Sequence, residues 1–177
     1  MPTLNQIQQQ MKEVNVTDTF GTKKEIKFLP EVLREDEEIK YMTSGFLDGN
    51  TWLVTCTNKR VIFLDKGMIF GLKQKEIPLE KINSIAQQRG LLMGKLEIWD
   101  GASRMMIEQV SKDTLKPFID AVNKAKDELE NQHTGNFNAT KSENIPEQIK
   151  KLAELKESGI LTEEEFNEKK TELLAKM

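Results

Sequence analysis

The stretch that decides the fold is residues 51–65, whose sequence is TWLVTCTNKRVIFLD. Trp52, Val54 and Cys56 occupy every second position, as on one face of a strand. A run rich in β-branched and aromatic side chains follows at residues 60–64. Between the two runs, Asn58 and Lys59 supply the residues of a tight turn. The pattern therefore predicts two antiparallel strands joined as a hairpin.

The same period of two continues outward on both sides of this hairpin. Turn residues such as Asp48-Gly49 and Asp100-Gly101 separate further short runs. Short strands joined by tight turns favour an antiparallel meander. The seven predicted strands are residues 38–46, 51–57, 60–65, 71–77, 82–88, 94–99 and 103–109.

Segments with apolar residues at helical spacing lie before and after the predicted strands. The N-terminal stretch predicts a short helix that packs on the chain's own body or on another subunit. Residues 23–33 predict a second helix with Pro30 as an internal break. After the strands, a helix is predicted from about Ser111 or Thr114 to Asn131. Its apolar stripe comprises Leu115, Phe118, Ile119, Val122, Ala125 and Leu129.

Residues 132–144 are polar and without period, so they predict a flexible linker before a separate tail. Gly159 is placed to end the first of two short helices in the tail. Thr162 and Glu165 then form a capping box for the second helix. The predicted organisation is a helical lead-in at 1–34, a core domain at 35–131, the linker, and a two-helix tail at 145–177.

Composition limits the class of protein. Of 177 residues, 37% are hydrophobic and 31% are charged, which fits one medium core with segments outside it. A net charge of -3 excludes a globally basic protein that coats nucleic acid. Cys56 is the only cysteine, and no charged-then-apolar leader is present, so the expected compartment is a reducing cytoplasm. No apolar run approaches the roughly 18 residues of a membrane span.

Two parts of the chain resemble known families. Glu38-Ile39, residues 57–64 (TNKRVIFL) and residues 77–82 (IPLEKI) resemble bacterial pleckstrin-homology (PH) domains, most closely the YokE-like group. Residues 149–166 (IKKLAELKESGILTEEEF) and Lys169-Lys170 resemble SHOCT, a short C-terminal domain. The first resemblance implies a mainly β fold with α elements: a bent antiparallel barrel of about seven strands, capped by a C-terminal helix.

No catalytic, cofactor or metal site is predicted. His133 falls in the polar linker, and Cys56 is expected to be a small buried residue of a strand. Residues 90–95 (GLLMGK) lack the spacing and the hydroxyl residue of a phosphate-binding loop, so a hairpin with exposed apolar residues is favoured. The first hairpin loop carries Asp48 and no cation, so recognition of a phosphoinositide headgroup is not implied by the resemblance.

The tail is the favoured binding element. A segment of this size cannot bury an adequate core alone, so self-association or docking to a protein partner is expected. The alternative is a tail packed on its own core domain. The predicted binding residues are Ile149, Leu152, Leu155, Ile160, Leu161, Phe166, Leu173 and Leu174.

The sequence thus predicts a non-catalytic bacterial or prophage scaffold protein, without a nucleic-acid partner or an evident small-molecule substrate. Peripheral membrane binding is the second hypothesis. It would use two apolar loops, residues 68–70 and 91–93, together with nearby lysines. The favoured alternative for these loops is that they fold back against the barrel or the N-terminal helix.

Overall fold

The computed structural model describes residues 2–67, 71–101, 103–142, 153, 156 and 162–174, with the backbone alone for residues 133–142, 164, 168 and 172–174. It divides into two compact units, Met1–Leu129 and Glu130–Met177.

Seven antiparallel strands form the body of the first unit, as the sequence predicts. They are β1 (Ile39–Leu47), β2 (Asn50–Thr57), β3 (Arg60–Lys66), β4 (Leu72–Pro78), β5 (Ser84–Arg89), β6 (Gly94–Trp99) and β7 (Arg104–Val110). Each strand end lies within two residues of its predicted position. The largest shift is at the start of β5, because a single 3-10 turn at Leu79–Lys81 occupies the chain just before it.

The strands are arranged in the order β4-β3-β2-β1-β7-β6-β5, which leaves β4 and β5 as the two edges. β1 joins the two halves through the pairing of Phe46 with Glu108. The strands approach closely here, since a Cβ placed on Gly45 would lie 2.3 Å from Ile107 Cγ2. Gly45 therefore permits the contact that joins the four strands β1–β4 and the three strands β5–β7 into one bent sheet.

A third helix, α3 (Lys112–Ser142), covers the inner face of the sheet with the part that belongs to the first unit. Leu115, Phe118, Val122 and Ala125 are buried against that face, which confirms these four members of the predicted stripe. We call this assembly the inner core; its strand residues include Trp52, Val54, Cys56, Val61, Phe63, Leu96, Ile98 and Ile107.

The predicted end of this helix at Asn131 is wrong, because α3 continues through residues 132–142 of the predicted linker. Polarity and the lack of an apolar period indicated a linker, but neither property ends a helix. The stretch contains no proline, and its single glycine, Gly135, costs only about 1 kcal/mol in a helix interior.

Two N-terminal helices, α1 (Leu4–Glu13) and α2 (Lys23–Val32), pack on the opposite face of the sheet. Thr3 caps α1 through a capping box with Gln6. The prediction that Pro30 breaks α2 is wrong: the helix continues to Val32 with the proline inside it, at the cost of the one backbone hydrogen bond that proline cannot donate. The outer core between these helices and the strands comprises Ile7, Leu29, Leu33, Ile39, Met42, Leu53, Ile62 and Leu64.

Candidate functional site

The cysteine and histidine that could carry chemistry lie in separate elements. Cys56 is fully buried in the inner core, and this burial raises the pKa of its thiol far above the ordinary value. Because the thiolate is the reactive form, such a cysteine is inert. His133 lies in α3 rather than in a linker. Within the described ranges, no group of three His, Cys, Asp or Glu residues could hold a metal ion.

Among the described residues, the most buried ion pair is that of Arg60 and Glu37. Arg60 Nε donates to Glu37 Oε1 at 2.8 Å, and an Nη of the same guanidinium donates to Glu37 Oε2 at 2.8 Å. The guanidinium also donates to the Val32 carbonyl at 3.0 Å and contacts the Glu76 carboxylate. These contacts fasten the end of α2 to β3 and β4, so the cluster is structural.

The first hairpin loop, between β1 and β2, offers no cluster of cations. Its charged residue, Asp48, lies 2.8 Å from the Lys75 ammonium of β4. That ammonium is also 5.5 Å from the centroid of the Trp52 ring. The loop thus holds a neighbouring cation in an ion pair and does not supply converging donors for a phosphorylated headgroup.

The hairpin between β5 and β6 projects apolar side chains into solvent. Leu91 is 91% exposed, Leu92 84% and Met93 50%. The turn is closed by a hydrogen bond from the Gly90 amide to the Met93 carbonyl, and Lys112 contacts the Leu91 carbonyl. This confirms the predicted hairpin with exposed apolar residues, and it shows that the alternative, in which residues 91–93 fold back against the barrel or the N-terminal helix, is wrong. The second predicted apolar loop, residues 68–70, lies outside the described residues.

An open groove lies between α1, the start of β1 and α3. Its volume is about 580 Å³, within the range of ligand pockets. Gln10 and Glu13 of α1 line the groove with Val14, which follows that helix; the run from Glu38 to Tyr41, at the start of β1, lines it as well. On α3 the lining residues recur at helical spacing on one face: Pro117, Asp120, Ala121, Lys124, Ala125 and Glu128.

In the second unit, a fourth helix, α4 (Glu163–Leu174), begins at the predicted capping box. The Thr162 amide donates to Glu165 Oε2 at 3.0 Å, and the Glu165 amide donates to Thr162 Oγ1 at 3.3 Å. The hydrogen bond from the Thr162 backbone lowers the pKa of the Glu165 carboxyl. The start of this helix is therefore fixed by the two side chains that the sequence identifies.

Phe166 is the described apolar side chain of this helix. It is half-buried, and its ring centroid lies 5.4 Å from Lys156 Nζ and 5.8 Å from Lys170 Nζ. Lys156 also pairs with Glu163 at 2.6 Å, which lowers the pKa of that carboxyl. Two ammonium groups near one ring form cation–π contacts that hold the aromatic side chain in place.

The known-family comparisons agree with this architecture. The profile of the bacterial PH domain family matches residues 33–124, and that of the short C-terminal domain, SHOCT, matches residues 147–174. The chain belongs to the bacterial PH domain family. A bacterial PH domain followed by SHOCT, with a bent seven-stranded sheet and α3, is thus the organisation of this protein.

Three known proteins are similar to parts of this chain. An uncharacterized protein of Archaeoglobus fulgidus is 27% identical over 147 residues, covering 67% of this chain and 77% of the relative. The pleckstrin homology domain from Shewanella amazonensis is 22% identical, with a TM-score of 0.37 over 49% of this chain and 80% of that one. A DUF1696 family protein with a pleckstrin-homology domain from Shewanella loihica is 16% identical, with a TM-score of 0.37 over 54% and 84%.

The binding residues predicted for the SHOCT tail are placed only in part. Phe166 lies in α4, and the backbone of Leu173 and Leu174 lies in the same helix. The other five, Ile149, Leu152, Leu155, Ile160 and Leu161, lie outside the described residues, so the apolar face that all eight would share stays a prediction.

Sequence reasoning missed the groove between α1, β1 and α3 and also the Arg60–Glu37 pair. The groove is formed by residues from three separate segments, none of which carries a motif of its own. Arg60 and Glu37 are likewise far apart in sequence, and an arginine next to a turn is usually solvated. The only signal for the pair was an arginine at the start of an otherwise apolar run.

Proposed function

We propose that this protein is a non-catalytic scaffold, of bacterial or prophage origin, whose SHOCT tail drives self-association. The observation that supports this most strongly is the fixed, half-buried Phe166 in a capped helix of a segment too small for a core of its own. An apolar side chain held by flanking cations is suited to a contact surface with another chain. The cytoplasm is the proposed location.

The test compares the oligomeric mass of the full chain with that of a chain ending at residue 144, by light scattering after size exclusion. A concentration-dependent oligomer is expected for the full chain and a monomer for the truncated one. Phe166→Ser should also weaken the assembly, whereas Asn167→Ser, at an exposed position of the same helix, should leave it intact. Identical monomeric masses for the full and truncated chains would rule out this function.

Membrane-surface binding through the PH domain is the second candidate, and the exposed hairpin supports it. Leu91 and Leu92 occupy the centre of a turn, where Gly, Asn or Asp is usual, and they are 91% and 84% exposed. Lys112 lies beside them and could meet anionic lipid. No helix in the described ranges is both long enough and apolar enough to cross a bilayer.

Cosedimentation with phosphatidylglycerol vesicles tests this second candidate. The paired change of Leu91 and Leu92 to serine should abolish sedimentation with the vesicles. Phe20→Ser is the matched control, because Phe20 is an 83% exposed apolar residue elsewhere on the same unit. Binding that survives the leucine replacements, or that ignores high salt, would refute this use of the hairpin.

A further inference from the structure

The groove between α1, β1 and α3 has the features of a docking site for a helix. Along α3, Pro117, Ala121 and Ala125 follow one another at a spacing of four residues, so small side chains form the floor over about 12 Å of helix axis. Alanine permits close approach of another backbone. Asp120, Lys124 and Glu128 repeat at the same spacing and form a charged border.

The charged border favours a basic occupant. The groove is lined by four carboxylates, those of Glu13, Glu38, Asp120 and Glu128, and by two ammonium groups, those of Lys40 and Lys124. Lys40 lies 3.4 Å from Glu38 and 3.3 Å from Glu128, so it is neutralised within the groove. The lining therefore has a net formal charge of 2 − 4 = −2.

Two of these carboxylates are available to a partner. Glu13 is exposed at the end of α1, where its contact is with a neutral amide, Gln9 Nε2, at 2.9 Å. Asp120 pairs with Lys116 at 2.5 Å, but both side chains are more than half exposed. A surface pair of this kind contributes little, so Lys116 can give way to a cation on a bound helix.

A bulge in β1 shapes the wall of the groove. Ile39 pairs with Thr57 and Tyr41 with Cys56, so Lys40 is an extra residue between them. Because of the bulge, Ile39 belongs to the outer core while Tyr41 belongs to the inner core, although regular alternation would put both on one face. Bulges of this type redirect side chains beside functional sites.

The floor of the groove also contains a polar group with no internal partner. Tyr41 is 5% exposed and lines the groove, yet its hydroxyl makes no hydrogen bond within the part of the chain that the structure describes. The hydroxyl oxygen itself is open to the groove, where it can bond a ligand in place of water. This hydroxyl is thus a second, independent indication that the groove receives a ligand.

We propose that the groove binds a basic amphipathic helix of a protein partner, with a small or apolar face on Pro117 and Ala121 and with lysines or arginines beside Glu13 and Asp120. The lining of α3 from Pro117 to Glu128 matches a partner helix of about three turns. This site lies wholly in the first unit and does not depend on self-association through the tail.

The experiment selects helical peptides of about 14 residues from a displayed library against the full chain and measures their affinity by fluorescence anisotropy. Enriched peptides should carry apolar residues at i, i+3 or i+4, and i+7, bordered by Lys or Arg. Their affinity should fall as salt is raised. Enrichment of acidic or extended peptides, or no enrichment, would overturn the proposal.

Matched charge reversals locate the binding. The double change Glu13→Lys and Asp120→Lys should weaken the selected peptides by at least about tenfold. The control pair, Glu31→Lys and Asp127→Lys, makes the same change in net charge at exposed positions outside the groove and should have less than a twofold effect. Equal losses in the two pairs would mean that only bulk charge matters, and would refute the site.

Tyr41→Phe gives a further check, since it removes only the hydroxyl. A loss of about threefold is expected if that hydroxyl bonds the partner, with thermal stability unchanged. The oligomeric mass of the full chain should be the same with either charge pair, which separates this site from the proposed self-association of the tail. If the peptide affinity is unchanged both in Tyr41→Phe and in the double variant Glu13→Lys and Asp120→Lys, the peptides bind outside the groove and the proposal is refuted.

Discussion

Replacing Arg60 by methionine is expected to destabilise the fold by about 3 kcal/mol, because a buried carboxylate then loses its counterion. The side chains of Arg60 and Glu37 are 6% and 0% exposed. Glu37 loses two hydrogen bonds and keeps two, from the Thr57 hydroxyl at 2.8 Å and the Arg34 amide at 2.9 Å. The two that remain place the loss at the lower end of the roughly 3–5 kcal/mol range for a broken buried pair.

Urea unfolding followed by circular dichroism measures this loss. In a thermal scan the same change should lower the midpoint by about 6–12 °C, at about 2–4 °C per kcal/mol for a chain of this size. Lys59→Met is the matched control: Lys59 is next in sequence and pairs with Asp36, whose side chain is 76% exposed. Its removal should leave the midpoint nearly unchanged.

The pH dependence gives the sharper test of the cause. Burial acts to raise the pKa of Glu37, but hydrogen bonds from Arg60, the Arg34 amide and Thr57 outweigh it and lower this pKa below its ordinary 4.5. A lowered pKa stabilises the wild-type fold above about pH 4.5 and loses that contribution as the pH falls through the folded value. Arg60→Met removes the strongest hydrogen bond that opposes burial, so we expect burial to prevail in the variant, the pKa of Glu37 to rise, and protonation to relieve the penalty.

The stability difference between wild type and Arg60→Met should therefore narrow from pH 7 to pH 4. Adding Glu37→Gln to Arg60→Met should recover part of the loss, because no unpaired charge stays buried. A loss below about 1 kcal/mol at pH 7 would contradict the buried-pair argument. So would a difference that does not change with pH.

Three further predictions concern other parts of the chain. Cys56 should resist a thiol reagent in the native state and react only after unfolding, because burial raises its pKa; rapid labelling of native protein at neutral pH would refute this. Gly45→Ala should lower the free energy of unfolding in urea by about 1–3 kcal/mol, since the added Cβ would lie 2.3 Å from Ile107 Cγ2 and 2.9 Å from the Glu108 carbonyl oxygen. An unfolding midpoint equal to that of the wild type would show that β1 and β7 can move apart without cost. Thr162→Ala should reduce the helical circular dichroism of the full chain by removing the cap of α4; Thr171→Ala, further along the same helix, serves as its control.

The strands could be predicted from the sequence because their pattern is local. Alternation through Trp52, Val54 and Cys56 and the turn at Asn58-Lys59 fix the hairpin without knowledge of the rest of the chain. The capping box at Thr162 and Glu165 was equally local, and it is present. In each case the residues that determine the structure lie within about a dozen positions of one another.

Features that depend on distant contacts could not be predicted in this way. The bulge at Lys40 arises because Ile39 must face the outer core and Tyr41 the inner core, and the outer core exists only once α1 and α2 are in place. The groove needs α1, β1 and α3 together. The end of α3 was missed for a different reason, since a polar composition was treated as a sign of a linker although it contained no residue that stops a helix.

The bulge in β1 also makes Lys40 a dispensable insertion. If Lys40 were deleted, Ile39 would become the direct neighbour of Tyr41, and simple alternation would still direct these two side chains to opposite faces of the sheet. Both cores would keep their members, while the groove would lose the Lys40 ammonium and leave Glu38 to a partner's cations; Glu128 would keep its pair with Lys124. Related chains could therefore gain or lose one residue at this point and change how acidic the groove is without changing the fold.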